Sequence, residues 1–173
     1  MAGANYPTIG CCGLDCGLCP RYYTEGSSRC PGCGGEGFEQ KHPSCGFLTC
    51  CVKKQGLSVC AECGEFPCKR FDKETGEYDS FILHRLVMPN QRKIAEMGID
   101  EYVRSQESRM QFLDTAIRRF NDGRSKNYFC IAATLLTVES LNTALARAEA
   151  GESLRVLLDS YAQKEGKELR LRK

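Results

Sequence analysis

Cysteine is the residue type that could carry chemistry in this chain, and it is concentrated in one stretch. Of thirteen cysteines, twelve lie between Cys11 and Cys68, and Cys130 stands apart. Three pairs have two residues between their members: Cys16/Cys19, Cys30/Cys33 and Cys60/Cys63. This spacing allows a tight turn to direct two sulfur atoms at one metal ion, and two such turns complete a tetrahedral site of four thiolates. The stretch is therefore predicted to bind metal.

The cysteines outside the pairs bring the total to enough for more than one site. They are Cys11, Cys12, Cys45, Cys50, Cys51 and Cys68. The whole set supplies two four-thiolate sites, and closed sites of this kind usually hold structural zinc, so we expect about two Zn²⁺ ions per chain. Which cysteines share an ion stays open, because several loop closures satisfy tetrahedral geometry equally well.

The same thiolates could hold an iron–sulfur cluster, which is the alternative to zinc. Cys12, Cys16 and Cys19 have CxxxCxxC spacing and resemble the three-cysteine signature of radical S-adenosylmethionine enzymes. Such a protein would be a redox or cofactor enzyme that uses these cysteines and one distant thiolate. The context argues against that family, because its members follow the signature with repeated strand–helix units. Here the rest of the chain is predicted to be helical.

Composition and charge restrict the partners and the compartment. Hydrophobic residues make up 42% of the chain and charged residues 27%, which is ordinary for a globular protein. The formal charge is +2, and two sites of four thiolates around a divalent cation would shift it to about −2, so a nucleic-acid partner is not expected. Residues 1–10 do not resemble a signal peptide, and no run of about 18 apolar residues predicts a membrane span. We expect a cytoplasmic protein, in which dense cysteines indicate metal rather than disulfides.

The chain changes character near residue 75, which suggests two regions. Residues 1–75 are cysteine-rich, with many glycines and prolines and no long apolar periodicity, so metal is expected to hold them together. Residues 76–173 have apolar residues at helical spacing and no alternating strand pattern. We predict a mainly α protein in which a loop-rich metal-binding N-terminal half, with zinc-knuckle turns and little or no sheet, packs on a C-terminal helical bundle.

Local signals predict where the helices begin and end. Short helical turns are expected at 17–23 and 50–56. A short helix after Ser80 is expected to end at Pro89, and Asn90 is expected to cap the next helix, which Gly98 ends. The longer helices follow: 99–120, about 128–148, and one after Gly151.

Several residues outside the cysteine pairs have two interpretations each. His42 could replace a cysteine ligand, although a loop histidine is usually solvated. A helix N-terminus with Arg124 and Lys126 could hold an anion, although an ordinary loop with Ser125 as helix cap is the simpler interpretation. Cys130 has apolar neighbours and is expected to be buried and inert.

Longer motifs in the cysteine-rich stretch resemble those of one family. They are Cys12-Gly-Leu-Asp-Cys16-Gly-Leu-Cys19, Cys30-Pro-Gly-Cys33 and Cys60-Ala-Glu-Cys63-Gly-Glu-Phe-Pro-Cys68. Over about residues 10–75 the chain is similar to the uncharacterised prokaryotic domain-of-unknown-function family 3795. The resemblance implies zinc binding and no established activity.

The resemblance also implies a set of metal ligands. Its pattern requires one of Cys50 and Cys51, since the spacing to Gly56 favours Cys51 and the spacing from Cys45 favours Cys50. With Cys51 taken, the implied ligands are Cys12, Cys16, Cys19, Cys30, Cys33, Cys45, Cys51, Cys60, Cys63 and Cys68.

No arrangement of residues in the sequence predicts hydrolytic catalysis. The chain has two histidines, and no Ser-His-Asp set or pair of carboxylates has a suitable spacing. We therefore predict a zinc-binding protein whose metal is mainly structural and which serves as an interaction or ligand-binding module. Its partner, a macromolecule or a small molecule, is not specified by the sequence, and whether it is an enzyme stays open. The alternative function is the iron–sulfur redox or cofactor enzyme.

Overall fold

The structure is a computed structural model that describes residues 6–42, 44–74 and 79–172. All regular secondary structure in these ranges is helical, and no strand occurs among them. The prediction of a mainly α protein is therefore confirmed, with short turns and loops in the N-terminal half. Within the described ranges, no helix is both long enough and apolar enough to span a bilayer.

The α-helices of the described ranges are short near the N-terminus and longer after it. In chain order they are α1 (Phe38–Lys41), α2 (Phe71–Glu74), α3 (Val87–Met97), α4 (Ile99–Phe120), α5 (Lys126–Leu135), α6 (Val138–Glu149) and α7 (Leu154–Lys164). Tighter or wider turns accompany them: 3-10 helices at Cys16–Leu18, Gly26–Ser28, Cys60–Glu62 and His84–Leu86, and a π-helix at Leu48–Lys54. The helix predicted at 99–120 is confirmed as α4.

The described chain divides into two compact units. The first runs up to Ser105 and includes Arg172, and the second is Gln106–Leu171. The first unit therefore contains helix α3 in addition to the cysteine-rich segment. The boundary predicted between residues 75 and 76 falls at residues 75–78, which lie outside the described residues, and it stays a prediction.

Helix α3 differs from its prediction at its first turn. Pro89 is its third residue and does not end a preceding helix. Proline is tolerated there, because the first backbone N–H groups of a helix have no partner within the helix. Asn90 is not a cap either, since its side chain is buried and donates to the Gly13 carbonyl at 2.9 Å and to Asp15 at 2.8 Å. Gly98 ends the helix with a φ of +83°, as predicted.

A buried polar cluster fixes the loop around residue 15 to α3 and to the start of α4. The carboxylate of Asp15 accepts hydrogen bonds from Asn90 and from the Tyr102 hydroxyl, the latter at 2.9 Å. All three side chains are buried. A buried carboxylate is tolerated when each oxygen has a donor, so this cluster selects one docking position for α3.

The second unit is built from α5, α6, α7 and most of α4 around a core of small and aliphatic residues. Leu113, Ala132, Leu136 and Leu158 are completely buried. Alanine and leucine at helical spacing account for this core.

The single helix predicted at about 128–148 is wrong, because the chain breaks it into α5 and α6. Leu136 is extended, with φ of −84° and ψ of 160°. Thr137 then caps α6 through its side-chain oxygen, which accepts from the Ser140 N–H at 3.3 Å. A threonine that caps the second helix favours the break over an uninterrupted helix.

The loop before α5 and the residue Cys130 complete the second unit. The carboxylate of Asp122 accepts from the N–H groups of Arg124 and Ser125, each at 2.9 Å. Ser125 was expected to cap α5, but its hydroxyl donates to Asp122 instead. Cys130 is 3% exposed, which confirms that it is buried.

Candidate metal centre

Three cysteine side chains from distant parts of the chain meet in the first unit. The sulfur atoms of Cys11, Cys51 and Cys60 all lie within 4.8 Å of one another, and all three residues are buried. We call this group the sulfur triad. In the part of the chain that the structure describes, no other three cysteine, histidine or acidic side chains converge this closely. The triad is therefore the best-formed candidate for a metal centre.

Each member of the triad is held by a different local structure. Cys51 lies in the π-helix Leu48–Lys54, and Cys60 begins the 3-10 turn Cys60–Glu62. The Cys60 N–H donates to the Cys11 carbonyl at 2.8 Å, which joins two of the three segments directly. The thiol of Cys51 lies 3.6 Å from the Leu57 carbonyl. Backbone contacts therefore bring the sulfurs together.

Gln91 of α3 joins the same two segments from outside the cysteine-rich stretch. Its side-chain N–H donates to the Cys11 carbonyl at 2.8 Å, and its side-chain oxygen accepts from the Ala61 N–H at 2.7 Å. The residue is 0% exposed. Because it bonds the backbone of Cys11 and of the residue that follows Cys60, it can fix the spacing of those two sulfurs. Sequence reasoning missed this residue, since nothing in its local pattern distinguishes it from a core position.

Close approach of α3 to the triad requires glycine at position 13. Gly13 has a φ of +97°, and a Cβ there would lie 2.8 Å from the Val87 carbonyl and 3.0 Å from Cγ of Gln91. Any side chain at this position would push the loop away from the helix. Gly13 thus allows the contact through which Gln91 reaches the Cys11 carbonyl.

The thiols of the triad share hydrogen bonds, and their acidities differ as a result. Hydrogen bonds from Cys11 and Cys60 lower the pKa of Cys51 to about 4. The hydrogen bond to Cys51, followed by the one to Cys60 and by burial, raises the pKa of Cys11. Three sulfurs this close cannot all ionise without a compensating cation. A divalent cation could replace their protons and bind all three sulfurs.

A second set of cysteines surrounds a cavity of about 520 Å³ in the same unit. These residues, which we call the cavity cysteines, are Cys16, Cys19, Cys30, Cys33 and Cys45. They include both members of two of the predicted pairs. The structure therefore brings these pairs to one place, at wider spacing than the triad.

Two of the cavity cysteines, Cys16 and Cys33, are joined by a hydrogen bond. The Cys33 N–H donates to the Cys16 sulfur at 3.4 Å. A hydrogen bond with the Cys33 thiol lowers the pKa of Cys16, and the same bond raises the pKa of Cys33. Burial raises the pKa of Cys19 to about 11. Ionisation of Cys19 and Cys33 is therefore unfavourable unless a cation compensates for it.

Cys12 lies beside the cavity cysteines and not in the triad. A Cβ built on Gly10 would lie 3.4 Å from the Cys12 sulfur and 3.5 Å from the Cys33 sulfur. The absence of a side chain at Gly10 leaves space next to both sulfurs. Cys12 is thus close to Cys33 of the second group, and it is also near enough to Cys11 and Cys60 of the triad for its charge to raise their pKa.

The remaining predicted ligands lie next to the triad. Cys63 and Cys68 line a small cavity of about 30 Å³ together with Cys51 and Cys60, and so does Cys50, which is not in the predicted set. All ten predicted ligands therefore fall into two neighbourhoods. Cys11 is the one triad member outside the predicted set, and the CxxxCxxC spacing that selected Cys12 gave no reason to choose it. The only local signal for Cys11 is that it forms a cysteine doublet with Cys12, as Cys50 does with Cys51.

His42, the other possible ligand, lies at the edge of the larger cavity. Its ring stacks on Phe38, with 4.8 Å between ring centroids. It lines the same cavity as the cavity cysteines, although its side chain is exposed. The arrangement is typical of a rim residue.

Comparison with known proteins agrees with the motifs. The model of the family described as "Protein of unknown function (DUF3795)" matches residues 8–73. The chain carries a DUF3795 segment. This confirms the resemblance predicted from the cysteine spacing. No curated protein and no solved structure matches the chain.

The DUF3795 segment contains the sulfurs but not all of the residues that hold them in place. Both groups of cysteines lie within residues 8–73. Helix α3 lies after the segment, so Gln91 and Asn90 contact it from outside. The segment therefore contains the candidate metal donors, and a following helix contributes to their positions.

Proposed function

We propose that this chain is a zinc-binding protein that holds about two Zn²⁺ ions through its cysteines. The observation that carries the proposal is the sulfur triad, three buried sulfurs within 4.8 Å of one another. The metal is mainly structural. It cross-links Cys11, Cys51 and Cys60, which are far apart in sequence, within a segment that has little regular structure of its own.

The donor set of the triad fits zinc in type and in spacing. A tetrahedral site with Zn–S bonds of about 2.3 Å places its sulfurs about 3.8 Å apart, so small side-chain movements suffice. The triad has sulfur donors alone, which suit zinc, iron or copper and not magnesium or calcium. The fourth ligand is Cys63 or Cys68, since both line the small cavity beside Cys51 and Cys60.

The second ion belongs to the cavity cysteines. Cys16 and Cys33 are already in contact through a hydrogen bond, and Cys19 and Cys30 line the same cavity. These four residues form two pairs with two-residue spacing, which supply the four thiolates of a tetrahedral site. Either Cys12 or Cys45 could take the place of one of these four ligands.

The role of the metal-built unit is to present a surface or cavity to a partner. In this proposal the chain is an interaction or ligand-binding module in the cytoplasm, where free thiols persist. The partner is a macromolecule or a small molecule, and a nucleic acid is not favoured by the charge.

Elemental analysis of the protein purified without oxygen tests the zinc proposal. We expect about two zinc ions per chain and no visible absorption. Cys51→Ala should remove one zinc ion, while the matched control Cys130→Ala should keep both. Wild-type protein without metal would refute the proposal. So would metal-free protein whose residues 10–75 resist proteolysis as well as the zinc form does.

An iron–sulfur cluster is the second candidate, and the wide spacing of the cavity cysteines is the observation that favours it. Among the described residues these sulfurs do not form a group as compact as the triad, and they surround a cavity of about 520 Å³. A cluster is larger than a single ion and is held by the same thiolates. A brown protein with iron, lost on substitution of Cys12, Cys16 or Cys19, would establish this alternative. Colourless protein with full zinc content would exclude it.

A further inference from the structure

The cavity beside the cavity cysteines is larger than a metal ion needs. Its volume of about 520 Å³ falls within the range of small-molecule pockets, about 300–1,000 Å³. The cysteines form one side of it. Apolar side chains form much of the rest, among them Leu14, Tyr22, Phe38, Phe81 and Ile82. A ligand with an apolar body could therefore lie against these walls.

Apart from the cysteines, the charged side chains at this cavity are all basic. Arg21 and Lys41 line it, together with the imidazoles of His42 and His84. None of the described residues that line it carries a carboxylate. The formal charge of the whole chain is +2, so this local excess of cations is not a property of the surface in general.

Both permanent cations are held in place at the rim. The Lys41 ammonium donates to the Ser27 carbonyl at 2.5 Å. An ammonium has three hydrogens, so this bond positions Lys41 without exhausting its donors. The Arg21 guanidinium lies 4.5 Å from the centroid of the Phe81 ring, and Phe81 itself is 41% exposed. A cation and an aromatic face therefore stand side by side at the opening.

We propose that this cavity binds a small organic anion with an apolar, ring-containing body. The anionic group contacts Lys41 and Arg21, and the body packs against Phe38 and Phe81. The proposal names the ligand class of the module and rests on the proposed metal-binding function, because the cysteines that bind the second ion form one wall. The competing explanation is that Lys41 and Arg21 only offset the negative charge of metal-bound thiolates.

The test uses the full-length, metal-loaded protein and anilinonaphthalene sulfonate, a fluorescent aromatic anion. Phenylnaphthylamine, which has similar rings and no anionic group, is the uncharged comparison. We expect saturable binding of the sulfonate to one site, and weaker binding of the uncharged probe. Lys41→Met should weaken sulfonate binding about tenfold, the usual effect of losing one charge-assisted contact, and leave the uncharged probe unaffected.

Two further variants make the result specific to the cavity. Lys93→Met removes an exposed cation elsewhere, on α3, and should change neither probe. Phe81→Ser should weaken both probes, because it removes an apolar wall. Metal content and far-ultraviolet circular dichroism, measured on each sample, confirm that the variants are loaded and folded.

Each contrary outcome identifies what fails. The ligand site alone would be overturned if the metal-loaded wild-type protein did not bind the sulfonate. It would also be overturned if the metal-loaded Lys41→Met variant bound the sulfonate as tightly as wild type does. Lys41→Met that loses metal affinity without a change in probe affinity would show that the cations only offset thiolate charge. Protein that retains no metal would overturn the proposed function itself.

Discussion

Replacing Gln91 by leucine tests whether α3 sets the spacing of the sulfur triad. The buried amide of Gln91 donates to the Cys11 carbonyl and accepts from the Ala61 N–H, at 2.8 and 2.7 Å. Leucine has a similar size and makes neither bond. The Cys11 carbonyl keeps the N–H of Cys60, but the Ala61 N–H loses its partner. An unsatisfied buried donor costs about 1–3 kcal/mol, so we expect the free energy of unfolding to fall by about 2 kcal/mol.

A loss of stability alone would not show that Gln91 positions the sulfurs. Groups that orient metal ligands typically change metal affinity by about 10–100-fold when they are removed. We therefore expect Gln91→Leu to lower zinc affinity by this factor in competition with a chelator. We also expect it to alter the visible absorption of the cobalt-substituted protein, which reports the geometry of the sulfurs around the ion.

The matched control is Tyr102→Phe, which removes a buried hydrogen bond in the same unit without contacting the triad. Tyr102 donates to Asp15 at 2.9 Å. Its loss should destabilise the unit by a similar amount and leave unchanged the part of the cobalt spectrum that Cys51→Ala removes, since Asp15 precedes Cys16 of the second site and is not next to the triad. If both variants lower metal affinity equally and give the same cobalt spectrum as wild type, the positioning role of Gln91 is refuted.

Two further predictions concern the close approach of α3 to Gly13 and the titration of Glu165. Gly13→Ala should destabilise the protein by more than Gly123→Ala, because both glycines have positive φ but only a Cβ on Gly13 would meet neighbouring atoms. Equal losses of unfolding free energy in denaturant would contradict the close approach of α3. Burial raises the pKa of Glu165, but hydrogen bonds from Ser140 and Thr137 outweigh it and hold the pKa below its usual value. The stabilisation by Glu165 is therefore present above its unfolded pKa of about 4.3 and is lost as the pH falls through the lower folded value. The difference in stability between wild type and Glu165→Gln should shrink in that range, and a difference that is constant with pH would contradict this.

Local chemistry explains which parts of the fold could be predicted. Helix α4 was predicted over its full length because its apolar residues recur at helical spacing across six turns. Gly98 was predicted to end α3 because glycine alone adopts its positive φ without strain. The break between α5 and α6 was missed, since the apolar spacing continues across Leu136 and only the capping bond of Thr137 marks it.

The sequence by itself determined that this protein has a cysteine-rich segment that could hold metal and a helical second half. Both follow from local patterns, namely the two-residue spacing of the cysteine pairs and the periodicity of the apolar residues. Only the tertiary structure decided which sulfurs meet. Cys11 and Cys12 are adjacent in sequence, yet Cys11 joins Cys51 and Cys60 while Cys12 lies beside Cys33. Loop closures of many lengths satisfy the same tetrahedral geometry, so spacing cannot select among them. The selection comes from contacts distant in sequence, above all from Gln91, which bonds a carbonyl 80 residues earlier in the chain.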